Sequence, residues 1–168
     1  MASFGGVRWD GDPDNEIIFG TSWNDILIGE GGDDILYGFE GDDMIEGGDL
    51  VNRIFGDAGN DIIWTGDSNT LGDVSRSNPG GSANLVSPSV NGDGNFASGG
   101  SGNDTMVGTD LIDIMFGGPG HDVIQAHKGA NTIYGNEGDD FLSAKANCDE
   151  CHNEIWGGAG DDYIIIRN

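Results

Sequence analysis

Residues 117–143 read GGPGHDVIQ, AHKGANTIY and GNEGDDFLS, three blocks of nine with matching positions. Asp122, Asn131 and Asp140 close the three turns, and a bulky aliphatic residue follows each of them by two positions. A fixed internal period is the signature of a repeat architecture, in which each unit packs against its neighbours in the stack. The stretch therefore predicts a solenoid.

The nine-residue spacing extends over most of the 168 residues. The residues that close the turns are Glu16, Asp25, Asp34, Asp43, Asn52 and Asp61, then Asp104, Asp113, Asp122, Asn131, Asp140, Asn153 and Asp162. Asn95 lies nine residues before Asp104 and places Ala97 in the apolar position, so it belongs to a concealed repeat. The chain thus holds about 14 repeats.

One apolar position per repeat forms a column without a polar exception. Its members are Ile18, Leu27, Leu36, Ile45, Ile54, Ile63, Met106, Met115, Ile124, Ile133, Leu142, Ile155 and Ile164. A helix would need an apolar residue every three or four positions. In a short strand, by contrast, the middle side chain points away from its two neighbours. The column therefore predicts the core of a thin all-β roll.

Glycine-rich turns such as 135–140 carry a built-in set of oxygen ligands. Glycine lets the backbone adopt positive φ and point its carbonyls toward one place, while the closing aspartate adds a carboxylate. Hard oxygen ligands select Ca²⁺ rather than Zn²⁺ or copper. The formal net charge of −24, from 30 acidic against six basic residues, also calls for a cation and excludes nucleic acid or an anionic membrane as partner.

These turns, with their aliphatic residue two positions later, match the pattern G-G-x-G-x-D-x-U-x, where U is a large aliphatic. Over nearly all of residues 16–166 the chain resembles the RTX (repeats-in-toxin, haemolysin-type) calcium-binding family. The resemblance implies a right-handed parallel β-roll, a β-solenoid with two nonapeptides per turn. It also implies Ca²⁺ between loops stacked 18 residues apart, each intact loop binding through its aspartate and through backbone carbonyls.

Two repeats per turn would place alternate loops on opposite edges. We name one the aspartate edge, with loops ending at Asp25, Asp43, Asp61, Asp104, Asp122, Asp140 and Asp162. The other is the mixed edge, with loops ending at Glu16, Asp34, Asn52, Asn95, Asp113, Asn131 and Asn153. Seven loops enclose six sites, so we expect about six Ca²⁺, mainly on the aspartate edge, with one or two ions near Asp34. Loop 20–25 carries Trp23 where glycine is usual and is the least typical.

The resemblance assigns ligands residue by residue. The expected carboxylate ligands are Asp25, Asp34, Asp43, Asp61, Asp104, Asp122, Asp140 and Asp162. The expected backbone carbonyl ligands are Gly38, Glu40, Gly56, Ala58, Gly99, Ser101, Gly117, Pro119, Gly135, Glu137, Gly157 and Ala159.

An outward position in the strands that follow the mixed-edge loops is almost entirely aromatic. This aromatic column comprises Phe19, Tyr37, Phe55, Ser98, Phe116, Tyr134 and Trp156. Strands about 4.8 Å apart would align the rings into a ladder. Three interpretations stay open: the rings stabilise the sheet, they form a docking surface for a second copy or a neighbouring domain, or they stack on sugar rings of a polysaccharide.

The remaining segments divide into a predicted N-terminal cap, 1–15, and two insertions in the roll, 66–90 and 145–152. The second insertion contains Cys148, Cys151 and His152 in the C-x-x-C-H spacing of c-type haem attachment. His127 is expected on the same edge, so the alternatives are haem attachment, a transition-metal site of these four residues, a local disulfide or two thiols.

The leading functional prediction is a calcium-binding folding module rather than an enzyme, since no serine or cysteine has an evident base and orienting partner. The resemblance implies an extracellular protein exported by a type I system, although no export signal and no transmembrane segment are visible in the sequence. The alternative is an adhesin module that binds a polysaccharide or a second copy through the aromatic column.

Overall fold

The computed structural model describes residues 5–66, 94–145 and 152–167, which form 15 strands and, within these ranges, no helix. The eight strands of sheet A are β1 (Arg8–Asp10), β3 (Ile26–Ile28), β5 (Met44–Glu46), β7 (Ile62–Trp64), β9 (Thr105–Val107), β11 (Val123–Gln125), β13 (Phe141–Lys145) and β15 (Tyr163–Arg167). The seven strands of sheet B are β2 (Ile17–Phe19), β4 (Ile35–Glu40), β6 (Arg53–Ala58), β8 (Phe96–Ser101), β10 (Ile114–Pro119), β12 (Thr132–Glu137) and β14 (Glu154–Ala159).

The chain alternates between the two sheets, and all pairing within a sheet is parallel. Leu36 pairs with Ile54 in sheet B, and Ile124 pairs with Leu142 in sheet A. Each partner lies two nonapeptides away, so two repeats make one turn. The predicted all-β parallel solenoid is confirmed, since this register follows directly from the nine-residue period.

The apolar column is the core, and it is one side chain thick. Its members from Leu27 to Leu142 are fully buried between the two sheets, joined by the small Ala97 and Ala126. A three-residue strand can send only its middle side chain inward, which explains why one aliphatic residue per repeat is enough. At the last turn Ile164 is 43% exposed, because no further turn covers it within the described residues.

The concealed repeat is confirmed by the pairing of β8 with β6. Ile54 pairs with Ala97 and Phe55 with Ser98, so the chain returns to the next turn after its first insertion. Residues 67–93 and 146–151, which hold most of both predicted insertions, lie outside the described residues. Within the predicted N-terminal cap, β1 joins sheet A and pairs Trp9 with Leu27, so the sheet begins there.

Candidate metal-binding edges

The aspartates of the aspartate edge are linked by a ladder of hydrogen bonds between turns. The backbone N–H of Asp25 donates to Asp43 Oδ1 at 2.8 Å, and that of Asp43 donates to Asp61 Oδ1 at 2.8 Å. The series continues through Asp104, Asp122, Asp140 and Asp162. One oxygen of each carboxylate is thus used to align successive turns.

The second oxygen of most of these carboxylates has no protein partner. Buried Oδ2 atoms without a hydrogen bond belong to Asp43, Asp61, Asp104, Asp122 and Asp140 on the aspartate edge and to Asp34 on the mixed edge. A buried polar atom with no partner is costly, and a buried charge requires a counter-ion. A bound cation would supply the partner that these oxygen atoms lack within the chain.

Burial raises the pKa of these carboxyl groups. The pKa of Asp43 and of Asp61 is raised to about 7, and that of Asp104 and of Asp122 to about 6. Desolvation is the largest cause, the hydrogen bond from the preceding turn works against it, and neighbouring carboxylates add to it. Without a cation, keeping these carboxylates ionised at neutral pH therefore costs free energy.

A backbone carbonyl of the next turn lies near the unpaired oxygen of most of these carboxylates. A Cβ added to Gly56 would collide with Asp61 Oδ2 and would lie 2.5 Å from the carbonyl oxygen of Gly99 in the next turn. A Cβ on Gly135 would meet Asp140 Oδ2 and the carbonyl oxygen of Gly157 in the same way. Only glycine leaves this space open, and the oxygens around it are of the type that Ca²⁺ prefers.

Five of the six carbonyls predicted from the third residue of each aspartate-edge loop, namely those other than Glu40, accept one backbone hydrogen bond each. Ala58 accepts from Gly41 N–H at 2.8 Å and Pro119 from Gly102 N–H at 2.9 Å, and Ser101, Glu137 and Ala159 accept in the same manner. A carbonyl oxygen has two lone pairs, so each keeps one for a metal ion. These hydrogen bonds fix the carbonyl positions before any ion binds.

The first loop of the aspartate edge differs from the others. Thr21 donates to Asp25 Oδ2 from its backbone N–H at 2.5 Å and from Oγ1 at 3.1 Å. Protein donors therefore satisfy the oxygen that is unpaired in the following loops. At Asp25, hydrogen-bond donors of the protein therefore take the place that a metal ion would have in the following loops.

Apart from Asp34 and from Asn153, whose Nδ2 is buried without a hydrogen-bond partner, the closing residues of the mixed edge largely satisfy their own polar groups. Asn52 Nδ2 donates toward the carbonyl oxygens of Gly48, Asp49 and Thr65 at 3.3–3.4 Å. Asn131 Nδ2 donates to those of Ala126 and Lys128 at 3.2 and 3.0 Å. Asp113 Oδ2 accepts from Thr109 N–H at 2.7 Å, and burial raises the pKa of Asp113 to about 6.

Side chains alone do not form a metal cluster in the part of the chain that the structure describes, where no three His, Cys, Asp or Glu residues converge. A metal ion on these edges would therefore depend on backbone carbonyls. Cys148 and Cys151 lie outside the described residues, while His127 Nε2 is buried without a hydrogen-bond partner and His152 is exposed. The second metal site stays a prediction.

The aromatic column forms a continuous ladder. Ring centroids are 5.5 Å apart for Phe19 and Tyr37, 4.9 Å for Tyr37 and Phe55, and 4.6 Å for Tyr134 and Trp156, with interplanar angles of 5–11°. Neighbouring rings cover each other's faces within the ladder, while the end residues Phe19 and Trp156 are 57% and 45% exposed. This geometry favours the stabilising interpretation over sugar stacking, which needs open ring faces.

Phe96 completes the ladder where Ser98 would interrupt it. Its ring lies 5.5 Å from that of Phe55 and 5.7 Å from that of Phe116, tilted by 45° and 42°. The sequence analysis missed this residue because it stands two positions before Ser98, on the same outward face of β8. The signal was an aromatic residue in the one strand that lacks an aromatic at the usual position.

Phe39 lies beside the ladder and lines a shallow groove. Its backbone φ is 79°, a conformation that is unusual for a bulky residue, and its side chain is 41% exposed. The equivalent positions in later turns also have positive φ, and they are occupied by Asp57, Gly100, Gly118, Asn136 and Gly158. The groove has a volume of about 460 Å³ and is lined by Phe39 with Thr21, Ser22, Glu40, Asp57 and Ala58.

A family model described as RTX calcium-binding nonapeptide repeat (4 copies) matches residues 10–45, 46–69, 90–110, 107–142 and 152–165. The matched segments contain every loop whose aspartate has an unpaired Oδ2. No curated protein and no solved structure gives a significant match. Among the described residues, no helix has the length and apolar character needed to cross a membrane.

Proposed function

Because the chain belongs to the RTX calcium-binding nonapeptide repeat family, we propose that this calcium-binding module folds when Ca²⁺ binds and serves a secreted bacterial protein structurally rather than as an enzyme. The observation that carries the proposal is the set of buried carboxylate oxygens without partners. All but that of Asp104 lie close to the carbonyl of the glycine one turn on, beside the position that a Cβ would take. At neutral pH, a cation bound by these oxygens would remove the cost of their burial.

The ions lie where an unpaired Oδ2 marks a site. Five are on the aspartate edge, at Asp43, Asp61, Asp104, Asp122 and Asp140, and one is on the mixed edge at Asp34. This proposal keeps about six ions, includes the ion expected near Asp34, and omits Asp25, whose Oδ2 accepts hydrogen bonds from Thr21. Six ions carry 12 positive charges (6 × 2 = 12), which offsets half of the net charge of −24.

Binding and folding form one equilibrium in this proposal. Without Ca²⁺ the aspartate edge stacks carboxylates along one line, and the core is one side chain thick. Each site adds about 2.7 kcal/mol to the free energy of unfolding when Ca²⁺ is at 100 times its Kd. Several such contributions exceed the stability of a typical domain, about 5–15 kcal/mol, so the calcium-free chain is largely unfolded at neutral pH.

Circular dichroism with and without Ca²⁺ tests the folding proposal. The chain should gain β structure on adding Ca²⁺, should lose it in excess chelator, and should respond far less to Mg²⁺, which demands near-octahedral geometry. Native mass spectrometry should count six ions. Full β content in excess chelator at neutral pH would contradict the proposal.

Secretion is tested by the calcium concentration at which the chain folds. A protein that stays unfolded in low-calcium cytosol and folds outside needs a midpoint like that of extracellular modules, about 10⁻⁴–10⁻³ M. A midpoint near that of cytosolic calcium buffers, about 10⁻⁹–10⁻⁸ M, would argue against export in an unfolded state.

Polysaccharide binding is the second candidate function, and the groove at Phe39 favours it more than the aromatic column does. Thr21 and Asp57 lie at the equivalent loop position in the turns on either side of Phe39. The Phe39 ring stacks near those of Phe19 and Tyr37, with centroids 6.2 and 6.1 Å away, and its side chain stays 41% exposed. Hydroxyl and carboxylate groups beside an aromatic ring can bind sugar hydroxyls and the apolar face of a sugar.

A glycan array probed with the calcium-loaded protein tests this candidate. The wild type should retain at least one polysaccharide, and Phe39→Gly should lose it while keeping its Ca²⁺ count, because glycine accepts the backbone conformation at this position. Trp156→Ser, at the end of the ladder remote from Phe39, serves as the control and should still bind. No retention of any glycan by the wild type would remove the candidate.

A further inference from the structure

The side-chain amide of Asn52 lies at the centre of a ring of carbonyl oxygens. Its Nδ2 is 3.3 Å from Gly48 O, 3.4 Å from Asp49 O and 3.3 Å from Thr65 O, and the side chain is fully buried. Three acceptors surround a group with two hydrogens, and every distance exceeds the usual value of about 2.9–3.0 Å. Oxygens arranged in this way around one point resemble the surroundings of a small cation.

The same point in a loop of the aspartate edge faces the unpaired carboxylate oxygen. A Cβ on Gly47 would lie 2.5 Å from Thr65 O and 2.8 Å from Asn52 Nδ2. A Cβ on Gly135 would lie 2.5 Å from Gly157 O and would collide with Asp140 Oδ2. Asn52 Nδ2 therefore takes the place of Oδ2, and the nitrogen turns toward the carbonyls that a cation would otherwise hold.

The oxygen of the Asn52 side chain behaves like Oδ1 of the carboxylates on the aspartate edge. Its Oδ1 accepts the backbone N–H of Asp34 at 3.0 Å, just as Asp61 Oδ1 accepts that of Asp43 at 2.8 Å. Asparagine and aspartate have nearly the same shape, so Asn52→Asp would place a carboxylate oxygen where Nδ2 now lies. Leu50, with φ 70°, occupies the position of a positive-φ glycine in loops such as 135–140, so the loop already has a backbone turn of that kind.

We propose that the amide of Asn52 replaces Ca²⁺ in loop 47–52, which is thereby a latent calcium site that one substitution, Asn52→Asp, opens. The partial positive charge of the amide hydrogens satisfies the carbonyl oxygens without a metal. Asn131, whose Nδ2 bonds to Ala126 O and Lys128 O, closes loop 126–131 by the same means. These two loops of the mixed edge therefore bind no calcium in the wild type.

The inference rests on the proposed function, because it takes loops with an unpaired Oδ2 to be calcium sites. The test is the number of Ca²⁺ ions bound per full-length chain, measured by native mass spectrometry and by calorimetric titration. Asn52→Asp should bind one ion more than the wild type. Its thermal midpoint should also rise more steeply with Ca²⁺ concentration, since an added site adds its own linkage term.

Two further variants make the result specific. Asn103→Asp adds the same charge at an exposed loop position, where the side chain only accepts a hydrogen bond from His121 N–H, and it should bind the wild-type number of ions. Asn52→Ala removes the amide without supplying a carboxylate, so it should gain no ion and should unfold at a lower temperature than the wild type in saturating Ca²⁺.

The outcomes separate this inference from the function on which it rests. If the wild type binds no Ca²⁺, the proposed function fails. If the wild type binds Ca²⁺ while Asn52→Asp binds no additional ion, or stays unfolded even in saturating Ca²⁺, the latent site is wrong. An additional ion in Asn103→Asp as well would show an effect of charge alone and would also overturn the inference.

Discussion

Glycine at the start of each aspartate-edge loop leaves the space in which the oxygens of two turns meet. At Gly135 a Cβ would collide with Asp140 Oδ2 and lie 2.5 Å from Gly157 O, although the backbone φ there suits any residue. Gly135→Ala should therefore bind one Ca²⁺ fewer and need more Ca²⁺ to fold. At 100 times the Kd the lost site costs about 2.7 kcal/mol of stability.

Gly31→Ala is the matched control for this substitution. A Cβ on Gly31 would meet only Pro13 Cα at 3.7 Å and Asp49 Cβ at 4.0 Å, which are ordinary contacts. Native mass spectrometry of both variants should show the wild-type ion count for Gly31→Ala alone. An unchanged count in Gly135→Ala would mean that the ion does not lie between these two turns.

Acid should partly replace calcium as the stabilising agent. Asp43 and Asp61 have a folded-state pKa of about 7, against about 3.9 for an unperturbed aspartate. Between these values the calcium-free folded chain holds more protons than the unfolded chain, so its stability falls as pH rises from about 4 to 7. In excess chelator, lowering the pH from 8 to 5 should therefore increase the β content seen by circular dichroism.

The pH dependence should be reversed when Ca²⁺ is present. Ca²⁺ requires the ionised carboxylates, so binding releases protons and the affinity weakens as pH falls below about 7. Calorimetry in buffers of different ionisation enthalpy measures the released protons. Proton release that does not change between pH 8 and pH 6 would contradict the assignment of these aspartates as ligands.

The strands of sheet B are joined by rings as well as by backbone hydrogen bonds, and Phe96 is the ring that connects the two halves of the ladder. Aromatic pairs contribute about 0.5–1.5 kcal/mol each beyond buried area. Phe96→Ser removes two of them and should lower the free energy of unfolding in saturating Ca²⁺ by about 1–3 kcal/mol. Chemical denaturation measures the loss, and Met44→Ser, at an exposed outward position of β5, should cost far less.

Sedimentation separates the stabilising role of the ladder from self-association. Replacing Tyr37, Phe55 and Phe116 by serine should lower stability and leave the mass of the calcium-loaded protein unchanged, because their ring faces are used within the chain. A wild-type dimer that this variant dissociates would instead support docking of a second copy on the aromatic column.

The strand and loop order could be predicted because the nine-residue period encodes both the core column and the closing aspartates. Pairings such as that of Ile54 with Ala97 followed once Asn95 was placed in the frame. Details that depend on side-chain rotation could not be predicted in this way. The hydrogen bonds of Thr21 to Asp25 and of Asn52 Nδ2 to three carbonyls require the loop geometry, which a period does not describe.

The two edges of the whole roll should respond differently to loss of calcium. Hydrogen exchange at intermediate Ca²⁺ concentrations should show early loss of protection at aspartate-edge amides such as those of Gly102 and Gly120, which donate to Pro119 O and Glu137 O. Amides of the amide-closed loop 47–52 should stay protected for longer. Simultaneous loss on both edges would contradict a division of the roll into calcium-dependent and calcium-independent sides.

The carboxylates of the aspartate edge are oriented by the turn before them, through the N–H that each Oδ1 accepts. An ordered turn therefore positions the ligand of its successor, while a disordered turn leaves that ligand free to rotate. Filling should accordingly be cooperative, since each unit of such an array is stabilised by its neighbours. The protein would then respond to rising Ca²⁺ as a switch with a narrow threshold rather than as a buffer that loads gradually.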